Sequence, residues 1–133
     1  MFILIADWKA AIEHYELALA INPLYHNCWF TLGCAYMRLE DWEKALNSFA
    51  RVTQQEPESG EAWNNMASIY VQLKKKREAF YALSEGLKYL RANWMMWQNF
   101  LYICMDVGEF QQAMNAVREL LEIKEKDVDT EVV

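Results

Sequence analysis

The side chains through which this chain could do covalent or metal chemistry are few and poorly spaced for it. His14 and His26 have no companion Cys or Asp at ligand spacing, which weighs against a metal site. Cys28, Cys34 and Cys104 are odd in number and form no C-x-x-C pair, so neither a disulfide framework nor a four-cysteine zinc site is indicated. There is no Gly-rich phosphate loop, no nucleophile elbow and no H-E-x-x-H. The neighbours Glu13 and His14 read as a helix-surface pair rather than an acid–base dyad. Catalysis, a cofactor and a metal are therefore not expected. The three cysteines read as small apolar residues, buried or on a concave face, of a protein in a reducing compartment. One basic run, Lys74-Lys75-Lys76-Arg77, reads first as a solvated turn, with a nuclear-import signal or a contact for an acidic partner as the alternative.

The elements that would position any site must be helical. The chain has 133 residues, 54% apolar and 24% charged, enough to pack one core. Four Gly and two Pro are too few for the turns of a sandwich or barrel. The net charge of −6 makes binding to nucleic acid through the overall field a poor expectation. That charge is uneven: residues 60–93 carry six basic and three acidic side chains, residues 94–133 three and eight. Met1 to Ala6 is apolar but too short for a signal-peptide core or a membrane span. A soluble protein of the cytoplasm or nucleus, without a membrane partner, is expected.

Sliding the chain against itself exposes a period of 34 residues. Ala11, Ala45, Ala79 and Ala113 keep it, as do Trp29, Trp63 and Trp97. Trp8 and Trp42 are continued by Lys76 and Phe110, and Tyr15 by Phe49, Leu83 and Val117. Pro23 and Pro57 lapse to Arg91, and Tyr36 and Tyr70 give way to Cys104. Within residues 26–59, Trp29, Leu32, Gly33 and Tyr36 share one helical face, and Leu39-Glu40-Asp41 is polar enough to turn. Trp42, Ala45, Leu46, Phe49 and Val52 mark a second helix, which Pro57 blocks. Small residues such as Gly33, Ala67 and Ala45 stand where helices must approach closely, with large aromatics beside them.

The run Trp29-x-x-Leu32-Gly33-x-x-Tyr36, then Ala45-x-x-x-Phe49, then Pro57, resembles the tetratricopeptide repeat signature. The resemblance implies an all-α, right-handed solenoid of antiparallel helix pairs, about three and a half repeats long. It divides the chain into a partial repeat at 1–25, repeats at 26–59, 60–93 and 94–127, and a tail at 128–133. Residues 60–93 depart from the signature at Met66, Ala67 and Arg91, and residues 94–127 at Phe100, Leu101 and Cys104. The stretches Trp29 to Tyr36, Glu61 to Asn65 and Asp106 to Phe110 look like the C-terminal repeats of the tetratricopeptide repeat protein 27 family. That resemblance implies a part in assembling spliceosomal particles alongside chaperones.

In such an array the first helices of successive repeats line a concave groove, and the resemblance places particular side chains on it. They include Phe30, Thr31, Asn64, Asn65, Ser68, Gln98, Asn99 and Tyr102, an amide-rich lining suited to the backbone of an extended peptide. Asn65 and Asn99 occupy the same register one repeat apart, continued by Thr31. Tetratricopeptide domains that hold a chaperone's C-terminal carboxylate use Lys, Asn, Asn, Lys and Arg, whereas those positions here hold Phe30, Cys34, Asn65, Met95 and Asn99. With only Asn65 matching and no cation placed for a carboxylate, capture of a chaperone tail is not expected.

Trp94, Met95 and Met96 lie in a stretch similar to half-a-TPR repeats of RNA-processing scaffolds. They are surplus to the core register and form a candidate edge interface. The partial first repeat and the short tail predict uncovered apolar ends, hence a piece of a longer solenoid or self-association. The leading expectation is a non-catalytic scaffold that captures a peptide or helix of a protein partner in its groove. The rivals are a structural spacer joined through its ends and the recognition arm of an enzyme whose catalytic domain lies elsewhere.

Overall fold

The computed structural model describes residues 5–24 and 26–132, with side chains from 7–24 and 27–126. The described residues form helices and turns only. The helices are α1 (Ile5–Ile21), α2 (His26–Arg38), α3 (Trp42–Gln55), α4 (Gly60–Gln72), α5 (Lys76–Leu87), α6 (Trp94–Val107) and α7 (Phe110–Val132). Their principal contacts run between consecutive helices, so each pair packs on the next in a linear array. This is the all-α solenoid that the period predicts, with α2/α3, α4/α5 and α6/α7 as its pairs.

Three backbone devices recur at the 34-residue spacing. The first is a left-handed residue after each first helix, at Glu40 (φ 58°), Lys74 (φ 60°) and Gly108 (φ 83°). The following amide then reaches back five residues: Asp41 to Tyr36 at 2.9 Å, Lys75 to Tyr70 at 2.8 Å and Glu109 to Cys104 at 2.8 Å. This is the Schellman geometry that ends a helix and turns the chain within three residues. The second is the start of each second helix, where Ala45, Ala79 and Ala113 donate to Asp41, Lys75 and Glu109 at 3.0 Å. The third is an indole clamp. Trp29, Trp63 and Trp97 donate Nε1–H to the carbonyls of Pro23, Pro57 and Arg91 at 2.8, 2.9 and 2.8 Å. The acceptor is backbone, so the lapse from proline to Arg91 leaves the clamp intact.

The core runs the length of the array. Ala35, Ala45, Phe49, Ala62, Ile69, Ala79 and Cys104 are wholly buried. A Cβ on Gly33 would meet the Phe49 ring at 2.8–2.9 Å, so glycine is what lets α2 and α3 close on an aromatic.

Two boundaries differ from expectation. Residues 128–132, read as part of a tail, continue α7 as helix to Val132, because nothing between Phe110 and Thr130 breaks it: the segment lacks Gly and Pro and is rich in helix formers. The second helix of the partial first repeat, which the pattern places at residues 8–21, begins earlier, at Ile5. Of Met1 to Ala6, which the pattern leaves as the most that could remain of the first repeat's first helix, residues 1–4 lie outside the described residues.

Candidate partner-binding surface

The first helices α2, α4 and α6 carry the residues placed on the groove, and the structure sorts them into three groups. Asn64, Ser68, Asn99 and Tyr102 come together between α4 and α6. They line a depression of about 390 Å³ that also includes Val71, Gln72 and Asp106, with Ala67, Leu83 and Ile103 among its apolar residues. Gln98 and Tyr102 line a second depression of about 470 Å³ between α6 and α7, with Trp94, Leu101, Val117 and Leu121. Phe30, Thr31 and Asn65 line neither.

Local packing explains the third group. Phe30 stands where Asn64 stands one repeat later, and its ring packs edge-on against Phe49 with centroids 5.4 Å apart. The Thr31 hydroxyl donates to its own helix at Asn27 O, 3.0 Å away. Asn65 is half-buried, apart from the depression that holds Asn99. The residue that shares a wall with Asn99 is Asn64, one position earlier. Asn65 and Asn99 keep the same register one repeat apart, but of the two only Asn99 lines this depression, because neighbourhood across the cleft depends on the offset between successive helices.

The edge candidates also divide. Trp94 and Met95 are exposed, but Met96 is 1% exposed and packs on Gly86, where an added Cβ would lie 2.9 Å from its Cε. Met96 is a core residue and leaves the edge interface. Its burial follows from Gly86, which opens a socket on α5 that only a long, flexible side chain fills.

The α4/α6 depression offers amides and hydroxyls over an apolar floor. Ser68 donates to Asn64 O at 3.2 Å. The side-chain amides of Asn64, Gln72 and Asn99 have no hydrogen-bond partner among the described residues, leaving donors and acceptors for a ligand. Its one carboxylate, Asp106, lies 3.9 Å from Lys76. That contact, with Arg77–Glu109 at 3.3 Å, ties half of the basic run to the next repeat. Burial pushes the Cys104 thiol up to about 11, with the Glu109 charge adding to it, so it stays a neutral packing residue. Burial likewise raises the Cys34 thiol against the opposing pull of Arg38. Between α1 and α2, burial and then its hydrogen bond to the Glu16 carboxylate raise the Tyr36 hydroxyl. Among the described residues no group of three His, Cys, Asp or Glu side chains is placed to hold a metal ion, and no helix is long and apolar enough to cross a membrane.

A linear stack of antiparallel helix pairs with a 34-residue period, Schellman turns and indole clamps in register defines the class. The chain belongs to the tetratricopeptide repeat family: models of that repeat match residues 30–93 and 96–127. Over 127 residues it is 61% identical to the tetratricopeptide repeat protein 27 homolog of Dictyostelium discoideum, covering 96% of this chain and 15% of that protein. A TPR repeat-containing protein of Schizosaccharomyces pombe is 38% identical over 123 residues, 91% of this chain and again 15% of the relative. The chain thus spans about one-sixth of the length of the curated relatives it matches. The crystal structure of MamA superposes with a TM-score of 0.79 over 90% of this chain and 70% of that one, at 22% identity, and shares the fold. Tetratricopeptide arrays are in general protein-interaction scaffolds, and that coarse role is what fold and family support.

Proposed function

We propose that this segment is a non-catalytic recognition module that holds an extended or helical stretch of a protein partner on its concave face. The carrying observation is the α4/α6 depression, where Asn64 and Asn99 present amides with no partner among the described residues above an Ala67–Leu83–Ile103 floor. Amides facing the ligand backbone would give register, and the floor would take one aliphatic side chain. Aromatic Tyr102, 61% exposed, stands at the rim. In a protein of the relatives' length we place this module in the assembly of ribonucleoprotein particles, on the resemblance to the tetratricopeptide repeat protein 27 family.

The test is selection from a displayed peptide library, followed by titration of the selected peptides against the chain and its Asn64→Ala, Asn99→Ala double variant. Loss of two amide contacts, each about 1 kcal/mol, weakens binding by about tenfold or more. Peptides that bind both forms equally place recognition off this cleft and sink the reading. A second reading, a spacer joined through its ends, is favoured by exposed Leu17, Ile21 and Leu24 at one end and by α7 at the other. It requires a concentration-dependent sedimentation coefficient that is indifferent to Asn64 and Asn99.

A further inference from the structure

Two of the clamp indoles line equivalent clefts, two repeats apart. Around Trp29, helices α1, α2 and α3 enclose about 420 Å³. Around Trp97, helices α5, α6 and α7 enclose about 510 Å³. Leu19, Leu32 and Asn47 of the first cleft correspond, two periods on, to Leu87, Phe100 and Asn115 of the other.

What the following second helix places against the indole differs at each repeat. Over Trp29 lies the Arg51 guanidinium of α3, 5.5 Å from the ring. Against Trp63 stands the Tyr81 ring of α5, edge-on with centroids 6.0 Å apart. On α7 the equivalents of Arg51 and Tyr81 are Glu119 and Asn115, neither a cation nor a ring. The ring contact that Trp97 does make is with Phe100 of its own helix, at 6.0 Å. The cleft at Trp97 thus keeps the aromatic wall on which Tyr81 sits one repeat earlier, but not the tyrosine.

Charge sets this cleft apart as well. The registers that hold Ala20, Pro23 and Ala50 near Trp29, and Gln54, Pro57 and Ser84 near Trp63, hold Lys88, Arg91 and Arg118 near Trp97. The clamp fixes the Arg91 carbonyl 2.8 Å from the indole nitrogen, and Arg91 borders the cleft. Lys88 is held by Glu85 at 2.9 Å. The guanidinium groups of Arg91 and Arg118 have no ion-pair or hydrogen-bond partner among the described residues. At the Trp29 cleft, by contrast, the charged side chains are engaged: Glu16 accepts from the Tyr36 hydroxyl, and Lys44 lies 3.8 Å from Asp41. One carboxylate, Glu119, also lines the Trp97 cleft. Two free guanidiniums beside one carboxylate suit a ligand with a single acid group at this point. A polyanion would meet Glu119, the neighbouring Glu122 and a chain of net charge −6.

We propose that the cleft walled by Trp97, Arg91 and Arg118 binds a short acidic segment of a protein partner that carries one aromatic side chain. The ring seats against Trp97 as Tyr81 does against Trp63, and a neighbouring carboxylate is held by the two arginines. The cleft shares no lining residue with the α4/α6 depression, so it stands or falls independently of peptide capture there.

The probe is a synthetic heptapeptide with a central tyrosine and glutamate elsewhere, titrated into the isotope-labelled 133-residue chain and followed by the indole N–H resonances. That of Trp97 shifts, while those of Trp29 and Trp63 stay in place. Asn115→Tyr gives the cleft its own ring, as Tyr81 does one repeat earlier, and abolishes the shift. The Arg91→Gln, Arg118→Gln double variant changes two exposed side chains and leaves the clamp's backbone acceptor in place; it weakens binding about tenfold or more. Alanine in place of the peptide's tyrosine also weakens binding, about tenfold. Glu119→Gln strengthens it. No shift of Trp97 at millimolar peptide overturns the proposal, as does binding unchanged by Asn115→Tyr or by loss of the two arginines. A single-stranded oligonucleotide that shifts Trp97 where the peptide does not makes nucleic acid the occupant and overturns it too.

Discussion

At the scale of single residues, the chain keeps total volume at its helix contacts while exchanging who supplies it. Gly33 meets Phe49, and the equivalent pairs one and two repeats on are Ala67 with Leu83 and Leu101 with Val117. As the residue on the first helix grows, the one on the second shrinks. In the native background Gly33→Ala adds a Cβ 2.8–2.9 Å from a fully buried ring. Overpacking costs about 1–3 kcal/mol and outweighs the roughly 1 kcal/mol gained in helix propensity, so stability falls by about 1 kcal/mol. In a Phe49→Leu background the ring is gone and the same change becomes stabilising. Urea denaturation of the four forms measures the coupling; additive effects would show that the close approach is not what selects glycine. This exchange was legible only in part. The signature marked Gly33 and Phe49 separately, and no single-residue rule connects positions sixteen apart until two helices are laid side by side.

At the scale of the elements, the turn between helices is set by one backbone angle. Glu40 and Lys74 occupy the left-handed region, which strains a residue with a Cβ, while Gly108 occupies it freely. Lys74→Gly relieves that strain and is expected to raise stability by about 0.5–1 kcal/mol, read as a higher urea midpoint with unchanged slope. An unchanged or lower midpoint would mean that the Lys74 side chain contributes more than its backbone costs. The helices themselves were largely readable from the 34-residue period, because each pair repeats the same apolar faces. The Schellman turns were not, since Leu39-Glu40-Asp41 announces a turn by polarity but carries no glycine to announce its type. The groove was readable as a face and not as a set of neighbours. Asn64, Ser68, Asn99 and Tyr102 share a cleft, yet only the offset between α4 and α6 decides that Asn64 rather than Asn65 stands across from Asn99. The course of α7 past residue 127 was not legible from the repeat, whose 34-residue period ends there and leaves 128–133 as a short tail, although nothing in the segment forbids a helix.

At the scale of the whole molecule, stability is distributed along one dimension. Helices α4 and α5 are packed on both sides by neighbouring helices, whereas α1 packs on α2 alone among its principal contacts. The exposed inter-repeat ion pairs Lys76–Asp106 and Arg77–Glu109 add little to this, about 0–1 kcal/mol each. Amide hydrogen exchange should therefore be slowest around Ala67, Ile69 and Leu83 and fastest in α1, with opening that spreads inward from the ends. Uniform protection from α1 to α7 would mean a single all-or-none unit instead. The indole clamps make such opening visible without any label. Trp29, Trp63 and Trp97 each tie one repeat to the carbonyl of the loop before it, one chromophore per repeat with the same hydrogen bond. With Trp8, Trp42 and Trp94 replaced by phenylalanine, and then two of the three clamps in turn, the emission colour of the remaining indole reports when its own repeat lets go. The array thus carries a built-in optical scale along its axis, graduated every 34 residues.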